Sequence, residues 1–532
     1  MTSDPFVCHA PADPALEDEL AGIESIAALL DHRARRRPES LALATQSVTG
    51  QWRELSYREL REESLRMAAA LKASGIGKGV HVGVLADGEA NLECRLLHAA
   101  LARLGAVLVP LNPRYVADEL EFAVTFAECS AIIASPSHVA KVEALAPKLA
   151  GVEIFISLTH AAPSSWIDIG ERSHEPPAEW PVVHRDDLAN IIFTSGTTAR
   201  PKGVMHSHAT ALACGAIFAT ALGLRPDDRM HSATPFFTSS GSHIAPMLIL
   251  WAGCATIVEP VFDAAKMLER VARLKTTILG GVPAHHLFML EEKLRRPELD
   301  FSSVRLVDYG GAPTPGEVVR AIAARFAPAG QAQQWGMTET GIGILLAPED
   351  ALRKIGSTGK AAPLCAIKVI DEAGRALPPG EQGELCSKSP ANMLGYYNNP
   401  EATASTLQDG WVRTGDLGSI DAEGYFFYSD RLKDIVNRGG LKISSLEVEE
   451  ILFQHPDVRE AAVVGAPHPK LGEDVVAFVA AKEGRTIEVE KLIAFARGKL
   501  ADYKCPRKIV VVAALPRNAM GKVAKNELRG ML

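Results

Sequence analysis

Across the first two-thirds of the chain, short apolar runs closed by turn residues alternate with longer stretches whose apolar positions recur every three to four residues. Runs at 80–84, 106–109, 131–134 and 153–156 read as buried strands, and 90–104 and 115–129 as helices between them. The rhythm continues through a strand at 254–258, a helix at 263–274, a strand at 276–279, a helix after Pro283, a strand at 304–308 and a helix after Pro315. Such alternation predicts an α/β fold with two doubly wound subdomains, holding ligands at the loops that leave strand C-termini. From about Gly356 the texture changes: runs at 366–370, 383–386 and 425–428 alternate with turn residues and predict a small β-barrel subdomain. Past residue 430, a helix at 445–454, strands at 461–464 and 475–480, a helix at 488–500 and a strand at 508–512 make a compact α+β unit. The chain therefore divides into a large N-terminal domain, 1–430, and a small C-terminal domain, 431–532.

One stretch stands apart. Residues 230–258 hold no Asp, Glu, Lys or Arg, as a membrane span would, but Pro235, Gly241, Pro246 and Gly253 interrupt it. A core helix and strand beside an apolar pocket is the better account, and no membrane span is expected. At 532 residues, 47% hydrophobic and 23% charged, the composition is that of a globular enzyme. A net charge of −8 argues against a nucleic-acid binder, which needs a dominant basic field, so any anionic ligand must be held by local cations. Eight scattered cysteines, with no Cys-x-x-Cys pair, predict free thiols in a reducing cytoplasm. The N-terminal stretch is acidic, contains Pro5, Pro11 and Pro14, and lacks the basic start and apolar centre of a signal peptide.

The densest chemistry lies in Thr194-Ser-Gly-Thr-Thr-Ala-Arg-Pro-Lys-Gly-Val204, which follows the apolar run Asn190-Ile-Ile-Phe193. A glycine- and hydroxyl-rich loop leaving a strand can wrap a polyphosphate: Thr194, Ser195, Thr197 and Thr198 donate, Gly196 lets the backbone approach, and Lys202 adds a point charge. It is not a Walker A loop, because that pattern needs Gly-Lys-Ser/Thr after a four-residue spacer and here Val204 follows Gly203. Most Ser/Thr/Gly loops are plain surface turns. The order of residues here, however, resembles the signature loop of the adenylate-forming enzymes, which include acyl-CoA synthetases, luciferases and peptide-synthetase adenylation domains.

Further segments resemble that family's motifs in the family's order, and each alone would be a turn or a solvated charge. Tyr309-Gly-Gly-Ala-Pro313 resembles the adenine-side loop, which implies Gly310, Gly311, Ala312 and Pro313 as nucleotide contacts. Gln334-Trp-Gly-Met-Thr-Glu339 resembles the aromatic-Gly-Met-Thr-Glu motif. There the resemblance implies Gln334, Trp335, Gly336, Met337 and Thr338 around the adenine and phosphate, and Glu339 on Mg2+. Trp411-Val-Arg-Thr-Gly-Asp-Leu417 resembles the ribose motif, with Asp416 accepting from both hydroxyls. Arg431-Leu-Lys-Asp434 resembles the hinge, where Arg431 also reaches the ribose and Lys433 sits at the pivot of a mobile C-terminal domain. Leu515-Pro-Arg-Asn-Ala-Met-Gly-Lys-Val523 resembles the segment carrying the catalytic lysine, here Lys522.

The implied activity joins a carboxylate to the α-phosphate of ATP, releases pyrophosphate, and passes the acyl group to the thiol of coenzyme A. Positioning and charge stabilisation can carry both steps, with Thr194, Lys202, Glu339 and Lys522 as the catalytic set. Asn437-Arg-Gly-Gly-Leu-Lys-Ile443 resembles the strand lining the thiol tunnel, with Gly439 and Gly440 leaving room for a pantetheine arm and Lys442 near the phosphates; a glycine hairpin is the alternative. Lys522 also stands in a segment resembling the site where bacterial lysine acyltransferases silence this family.

The acid is less defined. Pro235-Phe-Phe-Thr-Ser-Ser-Gly241 occupies the place of a Pro-x-Phe-His segment, with Thr238 where many acyl-CoA synthetases have His. No Asp is present there to meet an amino acid's ammonium, and Gln334 stands where malonate-type relatives have Arg. An apolar monocarboxylic acid of fatty, alicyclic or terpenoid type is expected, lined by Phe236, Phe237, Thr238, Ser239, Gly241, His243, Val282, Gly310, Gly341 and Ile342. A stand-alone acyl-AMP ligase loading a carrier protein and a non-catalytic nucleotide-binding regulator remain as alternatives, and a monomer or a homodimer is open.

Overall fold

The computed structural model describes residues 5–159, 163, 165–169, 174–194, 201–432, 434–517 and 523–532. Among these residues the strands form four sheets. The first has nine strands, and its six central members are parallel: Gly330–Met337, Leu306–Gly310, Ile278–Gly281, Arg229–Ser232, Ala255–Val258 and Leu41–Gln46. The second has eight strands, with Leu188–Thr194, Val107–Leu111, His81–Leu85, Ala131–Ala134, Ile154–Ser157 and Ile167–Asp168 parallel. A six-stranded antiparallel sheet follows, running from Ala366–Ile370 to Phe426–Arg431 with Cys8–His9 added at its edge. The last sheet, of five strands, begins at Val436–Arg438 and belongs to the small C-terminal domain.

Local chemistry sets the helix limits. Ser56 and Glu59 form a reciprocal capping box that starts Tyr57–Ala73. Gly105, in the left-handed region, stops Asn91–Leu104. That helix is buried nearly all round, as helices inside large cores are. Leu92, Leu96 and Ala99 join the core packed on the first sheet, while Cys94, Leu97 and Leu101 join the core of the second. The uncharged stretch folds as a strand, a single π-helical turn at Ser240–Ile244, the helix Ala245–Ala252 and the strand Ala255–Val258. Among the described residues no helix is long and apolar enough to cross a membrane. At the junction with the C-terminal sheet, buried Asp430 accepts from the backbone N–H of Ser445 at 2.6 Å and from its hydroxyl at 2.9 Å, which anchors the start of Ser445–Phe453.

Candidate active site

Thr194 closes the strand Leu188–Thr194 and Lys202 opens Lys202–Ser207, directly opposite each other across an antiparallel pair. The loop they bracket, with Ser195, Gly196, Thr197 and Thr198, lies outside the described residues. The Lys202 ammonium sits 4.7 Å from the centre of the Tyr396 ring. The Tyr396 hydroxyl donates to Glu339 Oε1 at 2.8 Å, and the backbone N–H of Met393 donates to the Glu339 carbonyl at 2.8 Å. Glu339 is buried, and its carboxylate accepts no other hydrogen bond from the described residues. One buried carboxylate with a hard oxygen in reserve fits a Mg2+ ion that takes its other ligands from phosphate and water. Next to it, His206 Nε2 lies 2.8 Å from the Thr338 carbonyl.

Asp416 and Arg431 face each other in the register of two adjacent strands, with Arg431 Nε 3.0 Å from Asp416 Oδ1. Burial disfavours the guanidinium charge, but Asp416 and the acids around it outweigh burial and raise the Arg431 pKa. Trp335 donates its indole N–H to Asp416 Oδ2 at 2.8 Å, while its ring packs against Ile344, Ile367 and Phe426. The pivot residue Lys433 lies outside the described residues. Gly310 ends the strand Leu306–Gly310 where a Cβ would fall 2.5 Å from both Cγ and the carbonyl oxygen of Gln334, so only glycine lets the two strands close. Gly311 and Pro313 are exposed beyond it, with Ala312 between them. Gln334 Nε2 donates to Asp308 Oδ2 at 3.1 Å, and burial pushes the Asp308 carboxyl up to about 7. Gly336 and Met337 continue the Gln334 strand to its end.

On the acyl side, Thr238 is buried. Its hydroxyl donates to the Pro235 carbonyl at 2.7 Å and accepts from the Gly241 N–H at 3.0 Å, so its polarity is used inside the turn. Phe236 and Ser239 are buried beside it, and Phe237 is half-buried. His243 supplies the aromatic surface: its ring stacks on His206 at 4.1 Å, and its Nδ1 lies 3.3 Å from Asn190 Nδ2. Burial holds His206 near 4 and His243 well below its ordinary value, so both are neutral at physiological pH. Asn190 Oδ1, Ser239 Oγ and His243 Nε2 are buried and make no hydrogen bond among the described residues. Val282 precedes the helix Pro283–Arg295, and Gly341 and Ile342 open the strand Gly341–Leu346 against helix His208–Ala221 through Cys214.

Lys522 lies outside the described residues, but its flanks do not. Arg517 and Val523 pair across an antiparallel bridge. Burial, together with the Arg517 charge, lowers His285 at the start of Pro283–Arg295 to about 4. Gly439 and Gly440, at φ +60° and +87°, form the turn of a two-residue hairpin between Val436–Arg438 and Leu441–Ile443. Here Lys442 pairs with Glu372 at 3.2 Å and Arg438 with Asp474 at 2.7 Å. Sequence reasoning missed Tyr396, His206 and Asn190. Tyr396 sits in a turn-rich stretch with no periodicity, and Tyr and His have no spacing rule that would mark them.

The AMP-binding enzyme family matches residues 30–397, and the AMP-binding enzyme C-terminal domain matches 447–522. An indoleacetate–CoA ligase of Aromatoleum aromaticum is 35% identical over 485 residues, covering 90% of this chain and 94% of the relative. A long-chain-fatty-acid–CoA ligase of Mycobacterium tuberculosis is 33% identical over 485 residues, covering 89% and 92%. Among solved structures, an anthranilate CoA ligase in complex with anthranoyl-AMP superposes with a TM-score of 0.88 at 27% identity, covering 96% of this chain and 97% of that one.

Proposed function

The chain belongs to the AMP-binding enzymes, and from that premise we propose that it is an ATP- and Mg2+-dependent acid–CoA ligase acting on an acid with an apolar body. The enzyme class, an acyl-CoA synthetase of the AMP-forming kind using ATP and CoA, follows from its relatives. The observation that carries the assignment of roles is the meeting of Lys202, Tyr396 and Glu339 from three segments next to the Thr338–His206 contact, with the Asp416–Arg431 pair tied to the same 334–339 motif by the Trp335 indole.

In this reading Asp416 and Arg431 hold the ribose, and the 310–313 loop with Trp335 flanks the base. Thr194, Lys202 and the loop between them hold the leaving pyrophosphate. Glu339 would hold Mg2+, which would supply charge neutralisation at the phosphates. Lys522 steadies the charge that builds as the substrate carboxylate oxygen bonds to the α-phosphorus and pyrophosphate departs. A cation about 4 Å from that charge is worth roughly 4 kcal/mol at an effective dielectric of 20. The thiolate of CoA then attacks the acyl carbon and AMP leaves. This second step uses the Gly439–Gly440 hairpin after the C-terminal domain rotates about Lys433.

The relatives' acids differ, from indoleacetate to long-chain fatty acids. The apolar body is supported by the acyl segment itself, where Phe236 is buried and Phe237 half-buried. A cytoplasmic enzyme with reduced thiols is part of the same reading. Pyrophosphate release with a panel of acids, with and without CoA, tests it. Acid-dependent release with formation of a CoA thioester is expected. Release with no thioester would point to a carrier-protein ligase instead, and release with no acid would overturn the reading.

A further inference from the structure

We propose that Lys525 is a positioning residue for adenylation: through Ser445 and Asp430 it ties the segment that carries Lys522 to the strand that carries Arg431. The proposal rests on the ligase reading above, in which Lys522 serves the first half-reaction and Arg431 holds the ribose. It adds the physical link between the two, a short relay of hydrogen bonds that crosses from the large domain to the small one.

The relay starts on the strand Phe426–Arg431, where Asp430 is held in register opposite Leu417 and is only 3% exposed. Asp430 Oδ1 accepts from the backbone N–H of Arg431 at 2.7 Å, and the Arg431 side chain pairs with Asp416. Asp430 Oδ2 accepts from the N–H and the hydroxyl of Ser445, and from the Ser444 hydroxyl at 3.2 Å. The fully buried Ser445 hydroxyl has a second partner: it accepts from Lys525 Nζ at 2.6 Å. Lys525 Nζ also pairs with Glu449 Oε1 at 2.7 Å, one turn along the helix Ser445–Phe453. Lys525 begins the last helix, Lys525–Gly530, whose Leu528 is buried in the small domain and whose Arg529 pairs with Asp434 at 2.8 Å. It stands three residues after Lys522 and two after Val523, the residue bridged to Arg517.

Burial decides that this route matters more than its neighbours. Two further ion pairs join the domains, Arg295–Glu483 at 2.9 Å and Lys442–Glu372 at 3.2 Å, but all four side chains are exposed, and such pairs contribute little in water. The Lys525 and Glu449 side chains are 19% and 16% exposed, and hydrogen bonds between charged groups in such a setting are short and strong. Burial works against the Lys525 charge, but Glu449, Asp430 and Asp434 outweigh it and raise its pKa, so Lys525 is charged at neutral pH. The start of Ser445–Phe453 is docked on Asp430, and Lys525 fixes the Lys522 segment to that docked end. Without Lys525 the segment can shift against the nucleotide while the domain stays docked, and a misplacement of about 1 Å costs on the order of a hundredfold in rate.

The test measures the half-reactions separately: acid-dependent pyrophosphate release without CoA, and thioester formation from supplied acyl-adenylate. Lys525→Met should lower pyrophosphate release about tenfold to a hundredfold, the range for hydrogen bonds to a charged group, and keep thioester formation. Lys525→Arg, which can still donate to Ser445 and pair with Glu449, should recover most of the loss. Ser445→Ala cuts the relay without removing a charge and should act in the same direction by a smaller factor. Asp430 and Lys525 work through one hydroxyl, so Asp430→Asn combined with Lys525→Met should be little slower than the slower single variant. If Lys525→Met fails to fold, Ser445→Ala and Asp430→Asn, singly and together, carry the comparison. Equal loss in both half-reactions, the result of a merely structural role, would overturn the proposal. So would unchanged pyrophosphate release in the single variants, or losses that add in the double one. No acid-dependent release by the wild type, or full release by Lys522→Ala, would instead overturn the ligase reading on which the proposal rests.

Discussion

Replacing Tyr396 by Phe isolates one hydrogen bond in the centre of the site. The hydroxyl donates to Glu339 Oε1 at 2.8 Å, and the ring beneath it carries the Lys202 ammonium at 4.7 Å. Phenylalanine keeps the ring face, so the contact with Lys202 survives and only the donor is lost. A hydrogen bond to a charged group contributes about 1.5–3 kcal/mol. Removing a partner that orients a metal-ligating carboxylate costs about tenfold to a hundredfold in metal affinity. Tyr396→Phe should therefore raise the Mg2+ concentration giving half-maximal pyrophosphate release by that factor. With saturating Mg2+, kcat should recover most of the loss. A Mg2+ titration at saturating ATP and acid, followed by coupled pyrophosphate detection, reads this directly. An unchanged half-saturation point, or a drop in kcat that no Mg2+ concentration restores, would refute the idea that Tyr396 acts by positioning Glu339 for the metal.

Lys522→Ala should reduce acid-dependent pyrophosphate release about a thousandfold, the rate equivalent of roughly 4 kcal/mol. It should leave thioester formation from supplied acyl-adenylate largely intact, and equal loss in both half-reactions would contradict the assigned role. Gly440→Val places its side chain in open space, with nothing within 4 Å of the new Cβ, at a positive φ that costs about 1 kcal/mol. Thioester formation should fall while pyrophosphate release holds, and a variant normal in both steps would remove the hairpin from the thiol path. Burial raises Asp308 from the ordinary aspartate value to about 7, so the native state keeps a proton that the unfolded chain releases. Stability therefore falls as pH rises from about 4 to 7 and this contribution is flat above. Asp308→Asn should gain in unfolding midpoint over the wild type at pH 8 relative to pH 5, and a constant difference between the two would count against the burial argument.

Elements whose apolar runs are short and sharply bounded appear where the sequence places them, as with the strands Ala131–Ala134 and Ala366–Ile370. The expected helix at 115–129 is shorter, Ala117–Phe126, with Glu128 in the left-handed region just past its end. The C-terminal strands run longer than their apolar centres, Val458–His468 and Gly472–Ala481, because they pair with each other along their polar ends as well. Lys202 was expected in a loop and instead begins a strand, because its backbone pairs with that of Thr194.

The sequence by itself determined the reaction class. Lys202, Glu339, Asp416, Arg431 and Lys522 stand in ordered motifs, and residue type and spacing carry that kind of information. What only the tertiary structure decided is which side chains complete those motifs. Tyr396 reaches Glu339 across 57 residues, His206 reaches Thr338 across 132, and Arg95 reaches Gly241 across 146. Such contacts leave no local pattern, since burial and charge at one position depend on segments that only folding brings beside it. Arg95 reads as one more polar residue along a helix until the two cores that enclose it are assembled.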